Sequence, residues 1–337
     1  MKRVLPIINP YCLSLVSLFF SQALLATVVL ALSPPALAWT VKSRELVDVE
    51  FAANGDLTIL VSAPGTESPG LYQWKTDAVE PTKICAIVSP SFFSFNRRMV
   101  MERVRGEYDA LRLHDASTCA LLGQIETTGR VIDADARDGW VAIAIQYADE
   151  ARALELYSLR GKRVASTEIG RNVELGFAPD GKTLLNFDLS DSVNAAWRIR
   201  SLARVPSPRW MTKGEVTFIP GAQYVKQYAN GALSIVQWAT GNAQYITPMA
   251  RTARVRQLSS DGRYGVIHER LAQGDAVVWL DFATRTRVQL GLGSIDHAAI
   301  IANGSKVAWS QRGGLLSDEV TIVQAAVGAA GSVTPQK

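Results

Sequence analysis

The sequence is poor in the residues from which most hydrolytic and metal sites are built. It contains only three histidines and three cysteines among 337 residues. The histidines, His114, His268 and His297, are too far apart in the chain to form a local zinc-binding pattern. No Gly-x-Ser-x-Gly motif is present to supply a nucleophilic serine. We therefore predict no catalytic, cofactor or metal site from the sequence.

A strong charge of either sign is also missing. The formal net charge is +4, and two of the positive residues, Lys2 and Arg3, lie at the extreme N-terminus. The basic residues are dispersed and do not alternate with aromatic residues, which argues against a nucleic-acid partner. Arg251, Arg254 and Arg256 form one of the denser basic groups and are a candidate contact for an acidic ligand or a membrane surface.

The N-terminal segment has no charged residue between Val4 and Val41. It contains an apolar run from residue 11 to residue 32 and ends in the small-x-small sequence Ala36-Leu37-Ala38. This pattern predicts a secretory signal peptide over residues 1–38 and a periplasmic or secreted mature chain that begins at Trp39. The alternative is an uncleaved anchor, because 22 largely apolar residues are long enough to span a bilayer. We expect membrane contact only in that case.

The remainder of the chain repeats one pattern, which is clearest between Leu175 and Phe187: an apolar strand, a tight turn and a second apolar strand. The turns begin 42, 42, 42, 40, 41 and 42 residues apart. They are Asn54-Gly55, Asn96-Arg97, Asp138-Gly139, Asp180-Gly181, Pro220-Gly221, Asp261-Gly262 and Asn303-Gly304. A fixed period of about 40 to 45 residues is typical of four-stranded propeller blades.

These repeats predict an all-β, seven-bladed propeller over residues 39–327, followed by a disordered tail over 328–337. The last repeat has three strands and lacks a fourth of its own. The segment 39–42 precedes the first repeat and has no partner within it. We expect this N-terminal strand to pair with residues 320–323, because that pairing closes the ring and removes an exposed sheet edge.

Two stretches carry a resemblance to a known family of repeats. They are FAPDGKTLL, residues 177–185, and LSSDGRYGVI, residues 258–267. With them the chain resembles the WD-repeat-like, TolB-type propellers of bacterial envelopes over essentially all of 39–327. The resemblance implies a blade and not a function, because one fold serves many functions.

Two motifs resemble ligand-binding loops. Residues Gly176–Thr183 match the phosphate-binding pattern G-x-x-x-x-G-K-[ST], but the residues after Thr183 predict a strand where that loop requires a helix. We interpret the match as the turn of a repeat and expect no nucleotide. Residues Asp133–Gly139 approach a calcium loop, but their acidic residues and glycine are out of register with that motif. We interpret them as a hairpin.

Cys85 and Cys119 are the only cysteines beyond the predicted signal peptide. A cysteine pair in an oxidising compartment favours a disulfide, which here would link the first two blades. The sequence leaves the bond open, because the outer positions of two blades can be too far apart to bridge.

Propellers bind partners at the end of the central channel where the loops between second and third strands lie. The loops expected there are polar and vary in length, and the first (64–70) and the seventh (311–318) are long and adjacent around the ring. The candidate binding residues on these loops, or in the case of His268 at the end of the strand before one, are Glu67, Glu107, Glu150, Arg152, Asp191, His268, Glu269, Arg270, Arg312 and Asp318.

The leading hypothesis is an exported, non-catalytic propeller that binds a protein or another component of the cell envelope. One alternative is a lactonase-like hydrolase with acidic residues at the mouth of the channel. A second is the propeller subunit of a quinone-type amine dehydrogenase. The sequence distinguishes these classes only weakly.

Overall fold

The structure is a computed structural model. It describes residues 36–42, 47–52, 54–62, 69–87, 90–93, 98–170, 174–187, 194–211, 215–218, 224–229, 232–246, 253–272, 274–312 and 319–327. Within these ranges all of the regular structure is β-strand, and no helix there is long and apolar enough to cross a membrane. Most of the predicted signal peptide and the predicted C-terminal tail lie outside the described residues.

The first half of the chain begins with β1 (Leu37–Lys42), which belongs to the last sheet. Sheet 1 contains β2 (Val47–Phe51), β3 (Leu57–Val61), β4 (Gly70–Trp74) and β5 (Thr82–Cys85). Sheet 2 contains β6 (Pro90–Phe93), β7 (Met99–Val104), β8 (Ala110–Asp115) and β9 (Leu121–Glu126). Sheet 3 contains β10 (Arg130–Arg137), β11 (Trp140–Gln146), β12 (Arg152–Ser158) and β13 (Arg163–Glu168).

The second half continues with the same order of strands. Sheet 4 contains β14 (Glu174–Phe177), β15 (Thr183–Phe187), β16 (Asn194–Arg198) and β17 (Arg204–Val205). Sheet 5 contains β18 (Glu215–Phe218), β19 (Tyr224–Ala229), β20 (Ala232–Gln237) and β21 (Ala243–Ile246). Sheet 6 contains β22 (Arg254–Leu258), β23 (Tyr264–Leu271), β24 (Gly274–Asp281) and β25 (Arg287–Leu292). Sheet 7 contains β26 (Ala298–Ile300), β27 (Lys306–Arg312) and β28 (Glu319–Ala326), together with β1.

The turns at the repeat positions make these antiparallel sheets possible. Gly139 and Gly262 adopt φ values of +87° and +73°, a region that glycine enters without steric cost. The turn residue Asp138 also has a positive φ, of +49°. The described turns therefore use the left-handed backbone that the sequence predicted. The turns at 96–97 and 220–221 lie outside the described residues.

The hydrophobic core is divided among the junctions between sheets. Among the described residues there are seven clusters of buried side chains, and each joins one sheet to the next. Between sheets 3 and 4, for example, fully buried Leu154 and Leu156 pack with Phe177 and Leu184. The cluster that joins sheet 7 to sheet 1 contains Ile59 of sheet 1. The sheets therefore form a closed ring.

The ring is closed by the N-terminal strand. β1 pairs with β28 in antiparallel register, from Leu37 opposite Gln324 to Lys42 opposite Glu319. On its inner face Trp39 packs against Tyr72 of sheet 1, with ring centroids 4.9 Å apart. The predicted pairing, and with it the all-β propeller of four-stranded blades, is confirmed.

The position of β1 bears on the predicted cleavage site. The strand begins at Leu37, two residues before the predicted mature N-terminus at Trp39. A cut after Ala38 would leave the four paired residues 39–42 in place. Closure of the ring is therefore compatible with the predicted processing.

Sheets 1 and 2 are linked covalently. A disulfide joins Cys85, at the end of β5, to Cys119, in the turn between β8 and β9. The Cα atoms of the two cysteines are 6.2 Å apart, within the usual range for a disulfide. Both cysteines pack against the apolar cluster between these two sheets.

Candidate functional site

The loop at 105–109, between β7 and β8, is exposed at its tip and fixed at its base. Glu107 and Tyr108 are exposed, and 57% of Tyr108 is accessible. The next residue, Asp109, is only 7% exposed. Its carboxylate accepts a hydrogen bond of 2.8 Å from the backbone N–H of Val131, at the start of sheet 3. Asp109 therefore holds this loop against the neighbouring sheet.

The loop at 147–151, between β11 and β12, is also held in place, by a bond within its turn and by a bond to a buried carboxylate. The N–H of Tyr147 donates to the carbonyl of Ala151 (2.9 Å), which closes a tight turn with Glu150 exposed at φ +67°. The hydroxyl of Tyr147 donates to the fully buried carboxylate of Glu155 (3.1 Å). Burial, and then the negative charge of Glu155, raises the pKa of Tyr147. The phenol therefore stays protonated and anchors the loop.

These two loops lie next to each other. Val131, whose N–H donates to Asp109 of the first loop, follows Arg130, and Arg130 pairs with Gln146 directly before the second loop. We name the exposed residues 105–108 and 148–150 the loop platform. The platform contains one exposed aromatic side chain, one cation and three carboxylates. These residues are Tyr108, Arg105, Glu107, Asp149 and Glu150.

In sheet 6 the predicted binding residues do not lie in a loop. β23 continues to Leu271, so that His268, Glu269 and Arg270 are strand residues. Glu269 is only 5% exposed, and its carboxylate is paired with the guanidinium of Arg287. Only residues 272 and 273 lie between β23 and β24, which corrects the expectation that Glu269 and Arg270 lie in a loop.

The remaining predicted residues are dispersed. Arg152 begins β12, where it pairs with Gln146 and is half-buried. Arg312 ends β27, and its Nε donates to the carboxylate of Asp296 at 3.0 Å. His268 contacts Asp275, with Nε2 and Oδ1 3.4 Å apart. Three residues lie outside the described part of the chain: Glu67, Asp191 and Asp318. Of the predicted residues, the structure brings Glu107 and Glu150 onto adjacent loops.

The carboxylates on β10, which resembled a calcium loop in the sequence, bind the next sheet. Asp133 Oδ2 accepts a hydrogen bond of 2.7 Å from the N–H of Leu175, and Asp135 Oδ2 accepts one of 2.8 Å from the N–H of Phe177. Within the described ranges, no group of three or more His, Cys, Asp or Glu residues is arranged to hold a metal ion. These acids act as links between sheets 3 and 4.

The residues Gly176–Thr183 run from the end of β14, through the turn at 178–182, to the start of β15. Thr183 begins a strand, as predicted. The N–H groups that a phosphate would require are already used inside the turn. Asp180 Oδ1 accepts bonds from the N–H groups of Lys182 (2.8 Å) and Thr183 (3.0 Å), and the N–H of Gly181 donates to Ala178 (3.0 Å).

Tyr108 and Asp109 did not emerge from the sequence as functional residues. The available signal was an aromatic residue next to an acidic one inside a predicted polar loop. Their roles depend on a contact with Val131, 22 residues further along the chain. A contact of this kind is visible only in three dimensions.

Comparisons with known proteins identify the fold and no family. No family model matches the sequence, and no curated protein matches it. A chain of the crystal structure of the mitotic checkpoint complex superimposes with a TM-score of 0.55 at 10% identity, over 86% of this chain and 94% of that chain. A candidate 6-phosphogluconolactonase from Bacteroides fragilis gives 0.48 at 15% identity, over 89% and 93%. BamB from Moraxella catarrhalis gives 0.44 at 14% identity, over 85% and 98%.

Proposed function

We propose that the protein is an exported, non-catalytic propeller that binds a protein of the cell envelope through the loop platform. The signal-like N-terminus supports export. The disulfide between Cys85 and Cys119 also supports it, because disulfides persist in oxidising compartments.

The exposure of Tyr108 on a fixed loop is the observation that supports this proposal most strongly. It is 57% exposed on a loop whose next residue, Asp109, is buried and bonded to sheet 3. Tyrosine is enriched among the residues that dominate binding at protein interfaces. Because the loop is already fixed, little conformational entropy is lost when a partner binds.

The charges around Tyr108 define the partner more closely. The platform carries three carboxylates, on Glu107, Asp149 and Glu150, and one guanidinium, on Arg105. A partner with basic residues around an apolar pocket would complement this surface. The partner proposed here is therefore a protein with a basic surface patch.

Site-specific photo-crosslinking tests the proposal. A photoreactive phenylalanine analogue is placed at Tyr108 and, as a control, at Val79, which is 76% exposed in the turn between β4 and β5. Turns between third and fourth strands lie at the opposite end of the sheets from the platform. After irradiation of intact cells, we expect one discrete adduct from position 108 and none from position 79.

The captured protein then provides a quantitative test. We expect Tyr108→Ala to weaken binding of the purified partner by about 2 kcal/mol, which is about thirtyfold. Val79→Ala serves as the matched control and should leave the affinity unchanged. Equal adducts from both positions, or wild-type affinity in the Tyr108→Ala variant, would refute the proposal.

A further inference from the structure

A second surface lies at the other end of sheets 3 and 4, away from the loop platform. It is an open cleft of about 770 Å³ between the turns that follow β10, β14 and β16. Cavities of this size accommodate drug-sized ligands or short peptide segments. The residues that line the cleft include Trp140, Lys182, Arg198, Ile199, Arg200 and Val205.

Three exposed cations line the cleft. Lys182 follows the turn between β14 and β15, and Arg198 lies at the end of β16, opposite Thr183. Arg200 projects from the next turn, at φ +81°. Among the residues that the structure describes, none of the three cations has a carboxylate within ion-pair distance. Their charges are therefore available to a ligand.

The two acidic residues of the cleft are already engaged. The carboxylate of Asp138 faces the guanidinium of Arg137 at 3.1 Å. The carboxylate of Asp180 accepts bonds from the N–H groups of Lys182 and Thr183 and from the hydroxyl of Thr183. Arg137 offsets the charge of Asp138, and the three cations of the cleft outnumber the one remaining carboxylate, that of Asp180, so that the cleft is positive in balance.

The available donors fit several separated anionic groups better than a single compact one. A phosphate is held best where several backbone N–H groups converge on it. In this turn the N–H groups of Gly181, Lys182 and Thr183 are all used internally. The remaining donors are side chains on two different turns and one strand end. Such a spread matches carboxylates distributed along an extended chain.

An apolar wall adds a second element of recognition. Trp140 is half-buried between the two sheets, Ile199 is 7% exposed, and Val205 is half-buried beside them. An indole ring provides a large contact area and also attracts cations and other rings. The cleft therefore combines an apolar wall with cations along its edge.

We propose that this cleft, the cationic groove, binds an acidic peptide segment of a partner protein, with carboxylates on Lys182, Arg198 and Arg200 and an apolar side chain on Trp140. The inference is independent of the function proposed for the loop platform, because the two surfaces lie at opposite ends of the sheets. Together they would allow the propeller to hold two proteins at once.

Fluorescence anisotropy with a defined peptide tests this proposal on the mature chain. The probe is a dye-labelled peptide of alternating glutamate and phenylalanine, and its control replaces every glutamate with glutamine. We expect the acidic peptide to bind more tightly than its control. The combined variant Lys182→Gln, Arg198→Gln and Arg200→Gln should bind it about tenfold more weakly, since each exposed ion pair contributes modestly.

A matched variant distinguishes binding in the cationic groove from a general effect of positive charge on the protein surface. The control variant removes three exposed cations from other turns at the same end of the sheets, by Arg160→Gln, Lys162→Gln and Arg285→Gln. Arg285 has a positive φ of +60°, as Arg200 does. This variant should retain wild-type affinity. Equal weakening in both triple variants, or equal binding of the two peptides, would overturn the proposal. Binding of ATP in the groove without binding of the peptide would overturn the assignment to a peptide.

Discussion

At the junction between sheets 3 and 4, Asp133 and Asp135 of β10 accept hydrogen bonds from backbone N–H groups of β14, 42 residues further along the chain. At the junction between sheets 7 and 1 the corresponding strand, β26, contains no carboxylate that could accept such bonds. There Asp48 of β2 contacts the side chain of His297 at 3.4 Å, and the N-terminal strand β1 completes sheet 7.

The two pairs of sheets are also connected differently along the chain. Sheets 3 and 4 follow each other along the chain, so that a short connection already keeps them close and buried carboxylates can fix their register. Sheets 7 and 1 are brought together only by the fold, at a larger cost in loop-closure entropy. The backbone pairs between β1 and β28 offset that cost. We therefore expect a destabilising substitution to open the closing junction more readily than the junction between sheets 3 and 4.

The largest effect is expected from a cavity at the closing junction. Ile322 of β28 is fully buried there, and Ile322→Ala should cost about 2 to 5 kcal/mol in unfolding free energy. Ile143→Ala, at an equally buried position between sheets 2 and 3, is the matched control. Hydrogen exchange should show faster opening of residues 39–42 only in the first variant. Equal exchange there in both variants would contradict the comparison.

The next largest effect is expected at the covalent junction between sheets 1 and 2. The disulfide closes a loop with a sequence separation of 34 residues. Replacing Cys85 and Cys119 with serine should lower the unfolding free energy by about 3 to 4 kcal/mol, because the unfolded chain gains entropy. Urea titration of the oxidised protein and the double variant measures this difference. A loss below 1 kcal/mol would show that packing alone holds these sheets together.

A smaller effect is expected from the carboxylate link between sheets 3 and 4. Asp135→Ala leaves the buried N–H of Phe177 without its acceptor, and should cost about 1 to 3 kcal/mol. Asp135→Asn keeps one acceptor oxygen and should cost less. Urea titration gives the energies, and hydrogen exchange at Phe177 reports the local change. If both variants were as stable as the wild type, the carboxylate would not link the sheets.

The smallest effect concerns a contact inside one sheet. The hydroxyl of Ser117 donates a hydrogen bond to Asp115 and lowers the pKa of its carboxyl. Burial opposes this shift, and the N–H groups of Thr118 and Ser117 add to it. A carboxyl whose pKa is lower in the folded state stabilises the fold above its unfolded pKa of about 4. That stabilisation is lost as the pH falls through the lower, folded pKa.

The variant Asp115→Asn tests this pH dependence. At neutral pH it should be less stable by about 0.5 kcal/mol, a small value because the group is partly exposed to solvent. The difference should disappear as the pH falls below about 4, which thermal unfolding at several pH values would show. A difference that stayed constant down to pH 2 would rule out the carboxylate as its source.

The architecture could be predicted from the sequence because each repeat has residues typical of tight turns at the same position. Asp138, Gly139 and Gly262 adopt positive φ values that few other residues tolerate. The pairing of β1 with β28 was also predictable, because the last repeat lacked a strand and the N-terminus had one to supply. Each of these features depends on local sequence or on counting repeats.

The candidate site was less predictable because its contacts are not local. Periodicity did not show that β23 extends to Leu271, nor that Glu269 is neutralised by Arg287, 18 residues away. It also did not show that Asp109 reaches Val131 and so fixes the loop that carries Tyr108. The sequence places residues on strands and loops, but it does not show which charges meet partners from other strands.

Closure of the ring by the N-terminal strand is tested most directly by an engineered disulfide. Thr40 and Thr321 are paired across β1 and β28, and their hydroxyl oxygens are 3.0 Å apart. With Thr40→Cys and Thr321→Cys, peptide mapping by mass spectrometry should find a bond between positions 40 and 321 in the native, oxidised protein. A control that combines Thr40→Cys with Thr284→Cys, an exposed position in the turn between β24 and β25, should form none. Free thiols at both 40 and 321 in the folded protein would contradict the closed ring.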